Sequence, residues 1–255
     1  MLATEYSWRI DTNLDAAVLH NVLDLYRPYR IEVNFSSGFS TRDFGDTVRY
    51  ANPLPLAKLH YFEADLELDG NSRILDIGCN LGYYGHYFLK DRGVRSIAGV
   101  EIDGRLYAAA MLLRAIAGFS DKQLALIPGD FGDPVTQALV ERCGPYDVAL
   151  CLGSLNAIRS FPAALGALAS VLRPGGVLVL EYTAIGSDER LCRFHPEGEG
   201  FPDDPTHIWT FSEGFVDGLL ETLGLTKVKR ALDWSDPAIL GEYRKITSLY
   251  RMSRP

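Results

Sequence analysis

The chain has 255 residues, of which 47% are hydrophobic and 23% charged, and its formal net charge is −8. This length suits one α/β domain with an appendage, and this composition excludes a disordered or collagen-like chain. The negative charge argues against a nucleic-acid partner, because gripping phosphates requires basic residues that displace counterions. We therefore expect a globular protein that acts on something other than nucleic acid.

The expected compartment follows from what the sequence lacks. No apolar run approaches the roughly 20 residues that a membrane-spanning helix needs. Residues 1–11 carry Glu5, Arg9 and Asp11, whereas a secretory signal needs an unbroken apolar stretch. The four cysteines show no paired spacing of a zinc or redox type. These observations predict a cytoplasmic protein with reduced thiols and no membrane partner, and they leave its oligomeric state open.

From residue 73 onward, short apolar runs alternate with helical patterns, which predicts a mostly parallel sheet with helices between its strands. The predicted strands are Arg73–Ile77, Ser96–Glu101, Leu124–Pro128, Tyr146–Leu152 and Val177–Tyr182. The predicted helices are Tyr83–Asp91, Arg105–Ala117, Pro134–Arg142 and Pro162–Leu172. Asp133 before Pro134 suits the start of a helix, and Gly118 suits the left-handed residue that follows one.

The C-terminal part changes to a different pattern. Phe215, Leu219 and Leu223 lie on one stripe of a predicted helix, and two alternating strands follow over residues 225–232 and 243–252. These two strands are expected to be antiparallel. The predicted fold is therefore a seven-stranded, mostly parallel sheet with helices on both faces and an antiparallel last strand.

Two segments stand outside this alternation. Residues 1–70 begin with a predicted helix, capped by Thr12 and stopped by Pro28, and continue into an aromatic-rich stretch. Residues 184–211 form an insertion rich in Gly, Pro and acids after the fifth strand. We expect a single domain in which residues 71–255 hold the site, while residues 1–70 and the insertion cover it.

The strongest chemical signal lies in Arg73–Gly85, a strand that ends in an acid and turns through glycines into a helix. Gly78 and Gly82 let the backbone approach a ligand closely, and Asp76 places a carboxylate at the strand tip. A dinucleotide fold would offer N–H groups to a pyrophosphate there, and an acid would repel that anion. The motif thus predicts a ligand with a cationic or amine group.

The next two strands also end in acids. Glu101 follows Gly82 by nineteen positions, where a carboxylate accepts hydrogen bonds from both hydroxyls of a ribose. Asp130 precedes Phe131, which suits an adenine whose amine donates to the carboxylate while its face packs on the ring. The alternative interpretation is that these acids only cap helices or turns and bind no ligand. Together, the three strand-end acids predict contacts to an amino acid, a ribose and an adenine.

These motifs resemble those of the class I S-adenosylmethionine (SAM)-dependent methyltransferases, over about residues 70–252. Leu75–Gly82 resembles the first motif of the family, Val100–Asp103 its second-strand acid, and Pro128–Phe131 its adenine contact. The resemblance implies a Rossmann-like α/β sheet, SAM as the cofactor and S-adenosylhomocysteine as its product.

Two later segments extend the resemblance. Tyr146–Gly153 is similar to the fourth strand of the family, whose end lies beside the methyl donor, and Leu172–Val177 is similar to the turn into the fifth. Asn80 stands where many members have glycine, but Asn tolerates left-handed backbone. The resemblance implies cofactor contacts from Asp76, Gly78, Cys79, Asn80, Gly82, Tyr83, Glu101, Ile102, Gly129, Asp130, Phe131, Leu152 and Gly153.

The family also implies the mechanism. A methyl group on a sulfonium is already activated, so the enzyme mainly aligns the acceptor, for which O or N is favoured over C, and excludes water. A hydroxyl or protonated amine acceptor also needs a general base. His207 is the predicted base, because similar His-containing patterns follow the fifth strand in many small-molecule members, and His60 is the substitute. Loop anchoring is the alternative for His207, and packing for His60.

A divalent metal is the less favoured interpretation of the insertion. The stretch from His195 to His207 also contains Glu197, Glu199, Asp203 and Asp204. No His-x-x-x-His or similar rigid pair is present, and acid-rich loops are usually solvated. We therefore predict no metal site.

Three functions remain open from the sequence. Methyl transfer to a small organic acceptor is favoured by the acidic charge. A tRNA-modifying methyltransferase is the first alternative, because the Asp76–Tyr84 motif is also similar to that of wobble-uridine enzymes. A scaffold subunit that binds SAM without moving a methyl group is the second. The acceptor and the atom that is methylated stay open.

Overall fold

A computed structural model of the chain describes residues 9–23, 33–38, 40, 58–196, 206–234 and 243–253. The chain divides into two compact units, of which the first comprises Met1–Asn71 and Cys79–Pro128, and the second Ser72–Gly78 and Gly129–Pro255. None of the helices in the described ranges is long and apolar enough to cross a bilayer. The four cysteines are free thiols.

The elements of the described residues alternate between strands and helices. In chain order they are β1 (Arg9–Ile10), α1 (Ala16–Leu23), β2 (Asn34–Phe35), α2 (Leu59–Phe62), β3 (Arg73–Ile77), α3 (Tyr83–Asp91), β4 (Ser96–Glu101), α4 (Gly104–Ile116), β5 (Leu124–Pro128), α5 (Pro134–Cys143), β6 (Tyr146–Leu152), α6 (Phe161–Val171), β7 (Leu172–Ile185), β8 (Cys192–Phe194), β9 (Trp209–Ser212), α7 (Glu213–Thr222), β10 (Leu225–Trp234) and β11 (Tyr243–Met252). Short 3-10 turns lie at Glu63–Asp65 and Leu155–Ala157.

In the first unit, β4 and β5 pair in parallel, and the two-residue strands β1 and β2 form a separate parallel pair. Helix α4 begins after Asp103, whose side chain accepts the N–H groups of Arg105 and Leu106. The cap predicted for α1 was wrong: Asp15 Oδ1 accepts the Val18 N–H at 2.8 Å, while Thr12 Oγ1 accepts the Leu14 N–H, which precedes the helix. The predicted stop at residue 28 lies outside the described residues.

In the second unit, the strand order is β10-β11-β7-β6-β3. Strands β3, β6 and β7 run parallel, whereas β11 is antiparallel to both β7 and β10. The mixed α/β fold and the antiparallel last strand are therefore confirmed. The residues from Val177 to Ile185 are buried throughout, which explains why this strand reads as a continuous apolar run.

The predicted elements beyond residue 70 correspond to β3–β7, β10, β11 and α3–α7 within a few residues at each end, with two differences. The insertion contains β8 and β9, which pair antiparallel, and β9 also pairs in parallel with the end of β7. Strand β8 is exposed along its whole length, so it has no alternation of burial that a sequence pattern could reveal. Strand β7 begins at Leu172 and not at Val177. It includes the Pro and Gly residues for which the sequence predicts a turn.

Candidate active site

The first half of the glycine motif belongs to the second unit. Asp76 is buried in β3 and pairs in register with Leu150 of β6. Gly78 has φ +73°, and a Cβ atom on it would lie 1.9 Å from Oγ of Ser154. That same hydroxyl donates to the carbonyl of Ile77 at 3.1 Å. The turns that follow β3 and β6 are thus packed so closely that only glycine fits at position 78.

The second half of the motif belongs to the first unit and forms the turn into α3. The Cys79 N–H donates to the carbonyl of Val100 at 2.9 Å, and the Gly82 N–H donates to the carbonyl of Cys79 at 2.8 Å. Asn80 and Gly82 are both left-handed, with φ of 54° and 78°. The expectation that Asn takes the place of glycine in this backbone conformation is confirmed. Helix α3 then begins at Tyr83.

Glu101 is the acid that this turn surrounds. Its Oε2 accepts the Asn80 N–H at 2.8 Å, and its Oε1 accepts the Asp103 N–H at 2.9 Å. Burial raises the pKa of the Glu101 carboxyl, and hydrogen bonds from the backbone of Asp103, Asn80 and Ile102 act against that rise. Each carboxylate oxygen has a second lone pair, so the group fits two further donors. Ile102 beside it is 68% exposed, which suits a residue that covers an apolar ring face.

The third strand-end acid lies in the second unit. Oδ1 of Asp130 accepts the Gly132 N–H at 2.8 Å, so a tight turn orients the carboxylate. Gly129 has φ +139°, and a Cβ atom on it would lie 2.4 Å from Oγ1 of Thr136. Phe131 is only 2% exposed, whereas Asp130 is half-buried. The turn therefore presents the carboxylate, whereas the Phe131 ring, on which the adenine face was expected to pack, lies inside.

The end of β6 meets a buried acid that the sequence analysis missed. Glu181 of β7 pairs in register with Leu152, the last residue of β6. Its carbonyl accepts the N–H of the next residue, Gly153, at 3.1 Å. The Glu181 side chain is buried, and its Oε2 accepts a bond from the hydroxyl of Thr247 at 3.1 Å. The available signal was one acid inside the apolar run of β7.

His207 lies in the second unit and is 6% exposed. It directly precedes Ile208, whose N–H donates to the carbonyl of Asn156 at 2.9 Å. His195, also in the insertion, contacts Oγ1 of Thr210 through Nε2 at 2.8 Å. Both histidines thus lie beside the strand pair β8–β9, in a segment whose composition alone predicts a loop.

His60 differs in its surroundings. It belongs to the first unit, lies on the one-turn helix α2 and is exposed. Its ring packs edge-on against Tyr61 at 5.8 Å. The 3-10 turn that follows is held to α3, because Glu63 accepts a bond from the hydroxyl of Tyr87 at 2.8 Å.

The acids considered as metal ligands, Glu197, Glu199, Asp203 and Asp204, lie outside the described residues. Within the described ranges, the side chains of His, Cys, Asp and Glu form no group of three that could hold a metal ion.

The chain matches a known protein family. Residues 48–230 match the family model described as "Methyltransferase domain". Over 123 residues the chain is 32% identical to the tRNA U34 carboxymethyltransferase of Desulforapulum autotrophicum, a match that covers 48% of this chain and 35% of that protein. The chain thus spans about a third of the length of the curated relatives it matches.

Solved structures show the same fold. The N-terminal domain of EvdMO1 with SAH bound has a TM-score of 0.68 and 19% identity, covering 94% of this chain and 98% of that one. The [4+2]-cyclase SpnF has a TM-score of 0.59 and 16% identity, covering 80% of this chain and 85% of that one. Since one fold serves different reactions, this likeness establishes the fold and leaves the acceptor open.

Proposed function

Because this chain belongs to the family of SAM-dependent methyltransferases, we propose that it moves a methyl group from SAM to an O or N nucleophile of a small organic acceptor. SAM is the cofactor, and its sulfonium supplies an activated methyl group. The Glu101 carboxylate carries the proposal, because each of its oxygens accepts one backbone N–H and retains a lone pair for a ribose hydroxyl.

The cofactor-binding roles are distributed over the strand ends. Asp76 binds the amino-acid part, Glu101 the ribose and Asp130 the adenine amine. Gly78 and Gly82 supply a backbone without side chains at the turn, which their positive φ angles support. The remaining proposed contacts come from Cys79, Asn80, Tyr83, Ile102, Gly129, Phe131, Leu152 and Gly153.

His207 is the proposed general base. A neutral imidazole nitrogen accepts the proton of a hydroxyl or ammonium acceptor, and imidazole is the side chain whose ordinary pKa lies nearest to neutral pH. The fixed backbone on the C-terminal side of His207 supports this role over that of His60, whose side chain is exposed on a short helix. A base held in one place keeps its alignment with the acceptor.

The covering segments complete the proposed site. Residues 1–70 and 184–211 exclude water from the acceptor, which prevents competition with the nucleophile. In the described part of the insertion, β8 and β9 pair with each other. This pairing supports the covering role, because it holds the backbone of the insertion in place. Much of the remainder, residues 41–57 and 197–205, lies outside the described residues.

A tRNA substrate is the second candidate. The observation that favours it is the 32% identity to a tRNA U34 carboxymethyltransferase, which covers only part of each chain. The net charge of −8 opposes it, because a chain of this charge repels the phosphates that such an enzyme has to grip. We therefore keep the small acceptor as the first candidate.

The test uses SAM that carries an isotopic label in its methyl group. The protein is incubated with a fraction of small metabolites and, separately, with bulk tRNA at physiological salt, and the products are separated by chromatography. We expect the label in the small-molecule fraction, and no transfer by the Glu101→Ala variant. Label in the tRNA would instead establish the second candidate. Absence of label from both fractions would contradict both.

A further inference from the structure

Asn156 is a buried polar residue that none of the motifs includes. It lies in the 3-10 turn Leu155–Ala157, which begins three residues after the end of β6, and the residue is 0% exposed. Its Oδ1 accepts the Thr183 N–H at 2.8 Å, and its Nδ2 donates to the Thr183 carbonyl at 3.0 Å. The amide thus pairs with both backbone groups of one residue near the end of β7, as a neighbouring strand would.

The same residue holds the segment that carries His207. Its Nδ2 also donates to the carbonyl of Trp209 at 2.8 Å, and its own carbonyl accepts the Ile208 N–H at 2.9 Å. The two residues that follow His207 are therefore both bound to Asn156. In a buried site such a network allows one arrangement, because each broken bond would leave a desolvated polar group.

We propose that Asn156 is a positioning residue for His207, an inference that rests on the proposed function. It joins three places: the end of β6, where the family binds the methyl donor, the end of β7, and the start of β9. Through these bonds it fixes the backbone next to the imidazole relative to the strand ends. Alignment of this kind matters because a displacement of about 1 Å can slow a reaction by about 10²-fold.

A second contact anchors the segment from the other side. The His195 N–H donates to the carbonyl of Ile208 at 2.8 Å, so Ile208 is bound through both of its backbone groups. Loss of the Asn156 side chain therefore leaves β9 paired with β8 and Ile208 bound to the carbonyl of residue 156, and frees the carbonyl of Trp209. This makes a selective effect on His207 measurable in a folded protein.

The experiment compares Asn156→Ala and Asn156→Asp with Ser170→Ala. The Asp variant keeps the acceptor for the Thr183 N–H and loses the donor to the carbonyls of Thr183 and Trp209. Ser170 is a control, because its hydroxyl donates within its own helix to the carbonyl of Ala167. The ring signals of His207 are followed by histidine-labelled NMR and assigned through His207→Ala. Backbone exchange is measured by hydrogen–deuterium exchange, and S-adenosylhomocysteine affinity by calorimetry.

We expect both Asn156 variants to shift and broaden the His207 ring signals. The Ala variant should also speed amide exchange at Thr183 by about tenfold or more, because the Thr183 N–H loses its side-chain acceptor. The S-adenosylhomocysteine affinity of both variants should stay within about fivefold of wild type, and Ser170→Ala should change nothing. Turnover with the acceptor found in the labelling experiment should fall by about 10²-fold in the Ala variant, with KM less affected.

Unchanged His207 signals in a folded variant would overturn the proposal, since Asn156 would then stabilise the strands without positioning the ring. Loss of the fold in both variants would also overturn it, because the residue would be a stability element. The ring signals test Asn156, while the turnover of His207→Ala tests the base. Failure of the positioning role is therefore distinguishable from failure of the proposed function.

Discussion

The backbone N–H of Asn80 donates to Oε2 of Glu101 at 2.8 Å, and this bond joins the glycine motif to the acid of the next strand. Asn80 makes this bond from a left-handed backbone, with φ of 54°. The other oxygen of Glu101 accepts the Asp103 N–H. A side chain that only capped a turn would need this second bond and not the bond from Asn80. The carboxylate is therefore oriented by two elements before any ligand arrives, as expected for a preorganised site.

Replacement of Glu101 by Ala should weaken cofactor binding. The change removes two charge-assisted hydrogen bonds to the ribose, each worth roughly 1.5 to 3 kcal/mol, so the affinity for S-adenosylhomocysteine should fall by about two orders of magnitude or more. Calorimetry measures this. Asp91→Ala, which removes an exposed acid at the end of α3, is the control for charge and should bind as wild type does. Wild-type affinity in a folded Glu101→Ala variant would contradict the ribose assignment.

Cofactor binding should also weaken in acid earlier than an ordinary glutamate would predict. Burial raises the pKa of Glu101 above its usual 4.5, so the carboxyl takes up a proton as the pH falls toward that value from above. A protonated carboxyl accepts fewer bonds from the ribose. Affinity measured between pH 7 and pH 4.5 should therefore decline in the wild type. Glu101→Gln should remove this part of the decline, and an equal decline in that variant would place the titrating group elsewhere.

Gly78→Ala should destabilise the fold. The new Cβ would lie 1.9 Å from Oγ of Ser154, and the positive φ adds strain, so we expect a loss of about 2 to 4 kcal/mol in the free energy of unfolding. Urea unfolding measures it. Gly104→Ala is a matched control, because its Cβ would meet nothing within 4 Å at the start of α4. Equal stability of the two variants would show that the close approach at Gly78 is not required.

The sequence allowed accurate prediction wherever a local pattern determines structure. Strand β3 and helix α3 were predicted at their observed ends, because an apolar run and a helical stripe flank glycines that adopt left-handed backbone. The cap by Asp133 was predicted for the same reason, since Asp before Pro suits a helix start, and its Oδ1 accepts the Val135 N–H at 2.7 Å.

Contacts between distant residues could not be predicted in this way. Asn156 and Thr183 are 27 positions apart, and nothing near Asn156 distinguishes it from a polar residue in an exposed turn. Strand β9 forms because it pairs with β7 and β8, which is a tertiary effect that overrides the polar composition around it. The start of α1 was misjudged because Thr12 and Asp15 are both good capping residues, and local sequence does not decide between them.

Glu213 should make folding stability depend on pH in the acid range. Burial tends to raise the pKa of this carboxyl, but bonds to Arg230 and Lys227 lower it from 4.5 to about 2. Since the folded pKa lies below the unfolded one, the stabilisation is present above 4.5 and is lost as the pH falls toward 2. Glu213→Gln should lose about 2 to 3 kcal/mol at pH 7 and much less near pH 2.5. Glu141→Gln, an exposed acid on α5, is the control, and a pH-independent deficit would contradict the ion-pair origin.

His207→Ala should lower turnover while leaving cofactor binding intact. If the imidazole removes the proton of a hydroxyl or ammonium acceptor, its loss should reduce kcat by about 10²-fold or more. Affinity for S-adenosylhomocysteine should stay near the wild-type value, because none of the proposed cofactor contacts comes from this residue. His60→Ala is the comparison: its side chain is exposed, so we expect turnover within a few-fold of wild type. The measurement is steady-state turnover with the acceptor found by labelling, over a range of pH.

Transfer to a carbon acid or to an acceptor that is already ionised needs little help from a base. Near wild-type turnover in both variants would therefore show that the mechanism has no general base. Alignment of the acceptor would then be the source of the rate, and the family assignment would not change.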